Sequence, residues 1–361
     1  MPRCAMKIKV FDFYSGCGGT SAGLQAAGME IAFGLDIDPD AAATFRANFP
    51  QAHFLQSDLT RLRANRLQAL ISTKRKAPIL FCGCAPCQPF SKQNLNRNAA
   101  DSRIPLLSHF GRFVRYYRPE FVLIENVPGL QSISEAPGPL PAFTKLLHRL
   151  DYHVVAATID CCDYGVPQKR QRFVLLASNI GEIALPPKTH GPGAGHAPFS
   201  TVRDWIGDLP PIEAGEECDS VPNHRAANLS PLNLRRIRST PPGGSRLNWP
   251  SELTLDCHAE HAGHTDVYGR LRMDQPASAL TTRCISLSNG RFGHPFQNRA
   301  LSVREAASLQ TFDPGFRFFG SLNSMARQIG NAVPTLLAQR LGDCFVRCAD
   351  SYLWERYSGR I

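Results

Sequence analysis

The sequence predicts an α/β protein: a large domain built on a mostly parallel, doubly wound sheet, followed by a smaller, irregular second domain. Three observations carry that expectation. Short apolar runs alternate with longer amphipathic stretches from Lys7 to about Ala177, the composition breaks at Pro186, and clear periodicity is lost beyond the break. With 361 residues, 43% of them hydrophobic, the chain exceeds one average domain and can bury a large core. Disorder is not expected of such a composition.

The apolar runs, in order, are KIKVFDFY, IAFGLD, HFLQ, PILFCG, FVLIEN, VVAATID and RFVLLA. Each has the length of a strand. Helix-like segments lie between them, among them AAATFRANF after Pro39 and LLSHFGRFVRYY, whose apolar residues recur at roughly three to four positions. Crossovers of this length place helices on both faces of a parallel sheet. The segment PPKTHGPGAGHAP, beginning at Pro186, is punctuated by Pro and Gly and reads as a linker. Residues from about 199 to 300, as in ASALTTRCISLSNGRFGHP, read as short strands and loops, a kind of surface that often carries recognition. The pattern turns helical again in SVREAASLQ from Ser302, and a last helix across VPTLLAQRLGDCFVRCADSYL is expected to pack back on the first domain.

The formal net charge of +10 is unevenly placed: residues 61–120 hold twelve Lys and Arg against two acidic residues, an excess equal to the whole. That excess surrounds Cys87 and suits a wall facing a polyanion, although Arg61, Arg63 and Arg66 fit a solvated helix face equally well. The twelve cysteines are scattered through a long chain and two pairs stand too close for ordinary bridging, so reduced thiols are expected. The first residues, MPRCAMKIKVFDFYSGCGG, lack the apolar stretch of a signal peptide or membrane span. A cytoplasmic protein without a membrane partner is the expectation.

Gly16, Gly18 and Gly19 join the first strand to a helix, where the backbone must turn sharply and approach a ligand without a Cβ in the way. A plain tight turn or a nicotinamide or flavin site has the same look. Asp36 ends the next run about twenty residues on, where a carboxylate can hydrogen-bond ribose hydroxyls, and Asp58 stands one strand further out. These three strand ends make a pocket for a nucleoside, and an oxidoreductase is still compatible with it.

Cys87, in GCAPCQPFS, follows a buried strand and a proline on the same rim. A free thiol ionises near pH ~8.5, so a nucleophilic role needs positive surroundings, which the charge excess supplies. Zinc ligation by Cys82, Cys84 and Cys87 is an alternative, but no second CxxC or His pair completes a set and no metal is expected. A buried structural role for Cys87 is another, opposed by the turn-rich Pro-Cys-Gln-Pro setting. Glu125 ends the FVLIEN strand, where a carboxyl near a thiol can protonate or hydrogen-bond a ring nitrogen. Arg170 and Arg172, at i and i+2 in QKRQRFVLLA, share one face of a strand and can orient that carboxyl or a phosphate. A structural ion pair between Glu125 and Arg172 is the plain alternative.

Taken in order, FDFYSGCGG, GLDID, SDLT, GCAPCQPFS, ENVPG, QKRQRFVLLA, RALSVREAASLQ and QIGNAVP resemble the ordered motif series of the bacterial-type DNA (cytosine-5) methyltransferases. The resemblance runs from Phe11 to Pro334, and the PCQ, ENV and QxRxR elements in this order make it specific. Ala85, where many relatives have a second proline, and Cys17 in the glycine turn are departures from the family pattern.

The resemblance implies a Rossmann-like, S-adenosylmethionine-dependent methyltransferase domain over residues 1–188. It also implies a target-recognition domain over 189–322 that includes RALSVREAASLQ, and a C-terminal segment, 323–361, packing back on the catalytic domain. By motif position the cofactor, S-adenosyl-L-methionine, would be bordered at its methionine part by Phe11, Gly16, Gly18 and Gly19, at its ribose by Asp36 and at its adenine by Ile37 and Asp58. Leu59 and Pro86 would join that pocket, and Asn331 and Val333 would close it; the residues alone do not foretell Asn331.

Cys87 would attack carbon 6 of a cytosine, making carbon 5 nucleophilic enough to accept the methyl group. Glu125 would hydrogen-bond N3 and the exocyclic amine, Arg172 would hold that geometry, and Arg170 would assist. The target carbon lies inside the stack, so the base must be flipped out, at a cost on the order of a few kcal/mol. The partner implied is double-stranded DNA, bound by a monomer, with a separately acting cognate restriction endonuclease compatible with it. Ser91, Lys92, Arg97 and Arg103 would lie in a basic loop closing on DNA, and Arg270, Arg272, Arg283 and Arg291 in the region reading guanine edges. Transfer RNA as substrate and a catalytically silent DNA-binding relative are the rival readings.

Overall fold

The computed structural model describes residues 7–71, 77–84, 106–128, 139–256, 263 and 265–357. They form two compact units, the first made of residues up to Asp160, Gln171–Pro187 and Leu337 onward, the second of Cys161–Arg170 and Lys188–Leu336.

In the first unit the elements run β1 (Lys9–Phe13), α1 (Gly19–Ala26), β2 (Glu30–Asp36), α2 (Pro39–Asn48), β3 (His53–Gln56), β4 (Ile79–Gly83) and α3 (Leu106–Tyr117). They continue with β5 (Phe121–Asn126), α4 (Pro139–Arg149), β6 (His153–Asp160) and, after β7 (Gln168–Lys169) of the second unit, β8 (Gln171–Ser178). The seven apolar runs of the sequence are the seven strands of one sheet, ordered β3-β2-β1-β4-β5-β8-β6. Strands β1 to β5 pair in parallel, whereas β8 is antiparallel to both of its neighbours, β5 and β6. The reason lies in the connection: only residues 161–170 separate β6 from β8, and a parallel return needs a crossover of a dozen residues or more, usually a helix.

Side-chain alternation gives the sheet two different faces. On one, Phe11, Phe13, Phe33 and Phe81 pack with Phe110, Phe113 and Val114 of α3 and Phe143 and Leu147 of α4. These α3 residues recur at the three-to-four spacing read from LLSHFGRFVRYY. The helix α2 begins where the sequence says it should: the Asp38 carboxylate accepts from the amides of Asp40 and Ala41, and Pro39 sits in the first turn. The opposite face carries Asp12, Cys82 and Glu125 and is covered by α1 and by α9 (Thr335–Tyr357). There Phe121 meets Phe345 at 5.3 Å between ring centroids, and a Cβ on Gly342 would stand 2.7 Å from Cβ of Ala27.

The second unit holds little regular structure: α5 (Val202–Ile206), α6 (Pro231–Arg238), α7 (Val303–Leu309), α8 (Leu322–Asn331) and β9 (Ala277–Ser278), which pairs with β7. A small core forms around Ile237, Trp249, Leu253, Tyr268 and Leu287. Loop carbonyls that no ladder satisfies are met by buried guanidinium groups. Arg299, fully buried, also makes two 2.7 Å contacts with the Glu305 carboxylate. The C-terminal segment rejoins the first unit at Leu337, not at residue 323, because α8 packs within the second unit; residues 161–170 likewise belong to the second unit.

Candidate active site

At the end of β1 the chain enters left-handed backbone at Tyr14 (φ 61°), Gly16 (φ 53°) and Gly18 (φ 98°). The turn is tied to the end of β2: Ser15 N donates to Leu35 O at 2.9 Å and Gly16 N to Asp36 Oδ2 at 2.8 Å. The two glycines do different things. A Cβ on Gly18 would lie 2.4 Å from the Phe49 ring, whereas one on Gly16 would meet nothing within 4 Å. Gly18 therefore lets the turn settle on α2, and Gly16 leaves open space beside the backbone. Gly19 is the first residue of α1.

Asp36 accepts a second amide bond, from Asp38 at 2.9 Å. Burial pushes its carboxyl above the usual carboxylate range, and the amides of Asp38, Gly16 and Ile37 pull the other way. Beside it Ile37 is 65% exposed, an apolar side chain projecting from the strand end. Asp58 caps the short helical turn Leu59–Arg61 and accepts from the Thr60 hydroxyl at 2.8 Å and the Thr60 amide at 2.9 Å. The hydroxyl is the main reason its carboxyl is held below the usual range. The Leu59 side chain is buried, which leaves only its backbone for a ligand. Phe11 is not at this rim: it is 1% exposed and packs on Phe33 and Phe81 inside the sheet core. Its position two residues before the strand's end puts it beneath the surface, and Tyr14, half-buried in the turn, is the aromatic that stands there. The sequence signal for Tyr14 was its place directly before the glycines.

Cys87 and Pro86, with Ser91, Lys92, Arg97 and Arg103, lie outside the described residues. The strand that leads to them does not. Cys82 is fully buried in β4 and Cys84 follows its end. Burial first, then nearby carboxylates (Asp12 for both, Glu125 for Cys84), push both thiols well above the ordinary range. That is the reverse of what activates a thiolate, so neither is poised to compete as a nucleophile. Among the described residues no group of three His, Cys, Asp or Glu is placed to hold a metal ion.

Glu125 stands on β5 opposite Val174 of β8, in antiparallel register. Arg172, two residues along β8, therefore shares its face on the diagonal. The Arg172 Nε lies 2.6 Å from Glu125 Oε1, with both side chains largely buried, and Arg172 Nη1 donates to Gln171 O at 2.8 Å. One strand inward on the same face is a group the sequence reading passed over: Asp12, fully buried on β1 between two core phenylalanines. Its Oδ2 accepts from the Ser21 hydroxyl at 2.7 Å, its Oδ1 has no hydrogen-bond partner, and burial pushes its pKa up to about 7. An acidic residue interrupting the apolar alternation of a central strand was the available signal.

Arg170 does not share a strand face with Arg172. The strand β8 begins at Gln171, and Arg170 belongs to the second unit, where its guanidinium donates to the carbonyls of Leu280 (2.7 Å) and Gly330 (2.9 Å). In that unit Asn331 is exposed and Val333 buried. The four arginines expected to read bases separate into two kinds. Arg270 is 3% exposed and donates to the carbonyls of Thr240, Ile237, His294 and Gln297 and to Asn298 Oδ1. Arg291 donates to Gly243 O and Gly244 O and pairs with Asp266 at 2.7 Å. These two are structural, because loop carbonyls absorb their donors. Arg272 and Arg283 are exposed.

The C-5 cytosine-specific DNA methylase family matches residues 8–346, from the edge of β1 into α9. The chain belongs to this family. Among its relatives, the Type II methylase M.HgiDII of Herpetosiphon aurantiacus is 37% identical over 98% of both chains. The Type II methyltransferase M1.HphI of Haemophilus parahaemolyticus is 35% identical over 95% of this chain and 87% of its own. A solved structure of a DNA modification methyltransferase encoded within an E. coli prophage has a TM-score of 0.74 at 23% identity, covering 95% of this chain and all of the other. That likeness shows the fold: a Rossmann-like methyltransferase sheet. No helix among the described residues is long and apolar enough to cross a membrane.

Proposed function

We propose that this methylase-family chain is a DNA (cytosine-5)-methyltransferase that takes its methyl group from S-adenosyl-L-methionine and acts on a flipped-out cytosine in duplex DNA. The observation that carries the reading is the buried Glu125–Arg172 pair, 2.6 Å apart on β5 and β8. It fixes a carboxyl at the carboxyl edge of the sheet, beside the strand β4 whose continuation holds Cys87.

The strand ends fit the cofactor. Gly16 leaves open space for its methionine part, the Asp36 carboxylate suits ribose hydroxyls, and exposed Ile37 offers an apolar surface to adenine, with Asp58 one strand out. Asn331 and Val333 would complete that set by motif position. When bound, this group supplies an electrophilic methyl on a sulfonium sulfur.

Carbon 5 of cytosine is too poor a nucleophile to take that methyl unaided. The Cys87 thiolate adds to carbon 6, and the electron pair moves through the ring while the Glu125 carboxyl hydrogen-bonds N3 and the exocyclic amine. Arg172 holds the carboxyl in place through Oε1, so its orientation is set before the base arrives. After carbon 5 has been methylated, loss of its proton to a base restores the ring and expels the thiolate. Duplex DNA is favoured as substrate because an entire second unit, residues 188–336, is available for reading it, and relatives carrying Type II names suggest a restriction-modification setting.

DNA containing 5-fluorocytosine tests this directly, since fluorine in place of the departing proton arrests the adduct. A covalent complex with the wild type and none with Cys87→Ser is expected. An adduct mapped to Cys82 or Cys84, or one formed with transfer RNA but not duplex DNA, would overturn the reading.

A further inference from the structure

Gln168, Arg170 and Gln310 form a buried polar knot inside the second unit. Arg170 Nη1 donates to Leu280 O at 2.7 Å and to Gln168 Oε1 at 3.3 Å, and Nη2 to Gly330 O at 2.9 Å and Ala332 O at 3.5 Å. Gln168 Oε1 also accepts from the Leu280 amide at 2.9 Å, and Gln168 Nε2 donates to Gln310 Oε1 at 3.2 Å. Gln310 Nε2 in turn donates to Ile329 O at 2.7 Å. The carbonyls of 329, 330 and 332 are thus held on both sides of exposed Asn331.

The same knot grips a second segment. Gly330 packs against the Thr281 peptide so closely that a Cβ would stand 2.2 Å from Thr281 O and 2.5 Å from Thr282 N. Cys284 Sγ, at the far side of that turn, donates to Ala326 O of α8 at 3.7 Å. Residues 280–284 and the end of α8 are therefore one packed body, with Thr282 and Arg283 exposed on one part and Asn331 on the other. Nothing else in the chemistry of Arg170 asks for a guanidinium: four acceptors on three chain segments are what a planar fork with five donors can hold and an ammonium cannot.

We propose that Arg170 is a positioning residue that makes the segment 280–284 and Asn331 move together, so that duplex DNA at Thr282–Arg283 and the cofactor at Asn331 bind with linked affinities. The inference rests on the proposed reading of Asn331 as a cofactor contact and of Arg283 as a DNA contact. Binding linkage is reciprocal: whatever factor DNA exerts on cofactor affinity, the cofactor exerts on DNA affinity.

The test is calorimetric titration of S-adenosylhomocysteine into the full chain, alone and with saturating duplex fragments of DNA that lacks cytosine methylation. Affinity in the wild type should rise at least about fivefold with DNA, and Arg170→Lys should bring that ratio close to one. Hydrogen exchange on the wild type guards against a variant that fails to fold: S-adenosylhomocysteine alone should slow exchange at 281–284 as well as at 329–333. An unchanged ratio in Arg170→Lys, or protection confined to 329–333, overturns the coupling while leaving the cofactor reading intact. Absence of any binding removes that reading and the coupling with it.

Discussion

Glu125 and Arg172 meet because β5 and β8 run antiparallel: opposite register places Glu125 against Val174, and the diagonal brings the Arg172 Nε to 2.6 Å. Removing one partner leaves a buried charge uncompensated, which commonly destabilises by about 3–5 kcal/mol. Arg172→Ala is therefore expected to lower the unfolding midpoint and to cut methyl transfer by roughly 10²-fold or more. Glu125→Gln, which keeps shape and removes the charge, should lose similar activity with a smaller loss of stability. Thermal unfolding and single-turnover methylation of duplex DNA check both, and an active Glu125→Gln would contradict the role given to the carboxyl.

The two positive-φ glycines should separate in mutation. In Gly18→Ala the new Cβ strikes the Phe49 ring at 2.4 Å and the residue sits at φ 98°, so the protein should be destabilised by more than the ~1–2 kcal/mol of left-handed strain alone. Gly16→Ala has open space and should fold nearly as well, yet weaken S-adenosylhomocysteine binding by about tenfold or more, since the space it fills is the ligand's. Equal loss of stability with unchanged binding in both would contradict this division.

Asp12 should give stability an unusual pH slope. Its pKa is pushed up from the ordinary 3.8 to about 7 by burial, so between those values the folded protein binds more protons than the unfolded one. Stability from this group is greatest below the unfolded value, declines as pH rises through the window, and levels off above about 7. Asp12→Asn, able to keep a bond to Ser21, is expected to flatten the decline in unfolding midpoint from pH 5 to pH 7.5. A variant whose profile runs parallel to the wild type would show that the carboxyl stays ionised throughout.

Arg270 and Arg272, two positions apart, should behave as opposites. Arg270→Ala orphans five acceptors inside the second unit, and limited proteolysis should find that unit opened. Arg272→Ala is expected to leave the unit protease-resistant and to weaken DNA binding. If Arg272 meets a phosphate, the slope of log affinity against log salt should shrink by about 0.9. A slope unchanged from the wild type would remove Arg272 from the DNA contacts.

Much of the first unit is legible in the residues. Seven apolar runs became seven strands, Asp38 and Pro39 marked the start of α2, and Gly16, Asp36 and Asp58 sit at consecutive strand ends. Strand direction is not written in hydrophobic alternation, and β8 was fixed by the short connection from β6, not by its own residues. Arg170 and Arg172 look equivalent in QxRxR, but the strand starts between them, and one residue of backbone sends the two guanidinium groups to different tasks. In the second unit no period constrains which side of a loop faces in. Arg270 and Arg272 read alike there although one is 3% exposed and the other lies at the surface.

The cover that α9 gives to the sheet has a consequence for biosynthesis. The face bearing Phe121 is complete only when Phe345 and Gly342 arrive, and about 150 residues of the second unit are translated in between. At a ribosomal pace of roughly 5–20 residues per second, that leaves a nascent apolar sheet without its lid for about 10–30 s. The emerging chain is thus a natural client for a holding chaperone, and the last helix to leave the ribosome is the one that releases it.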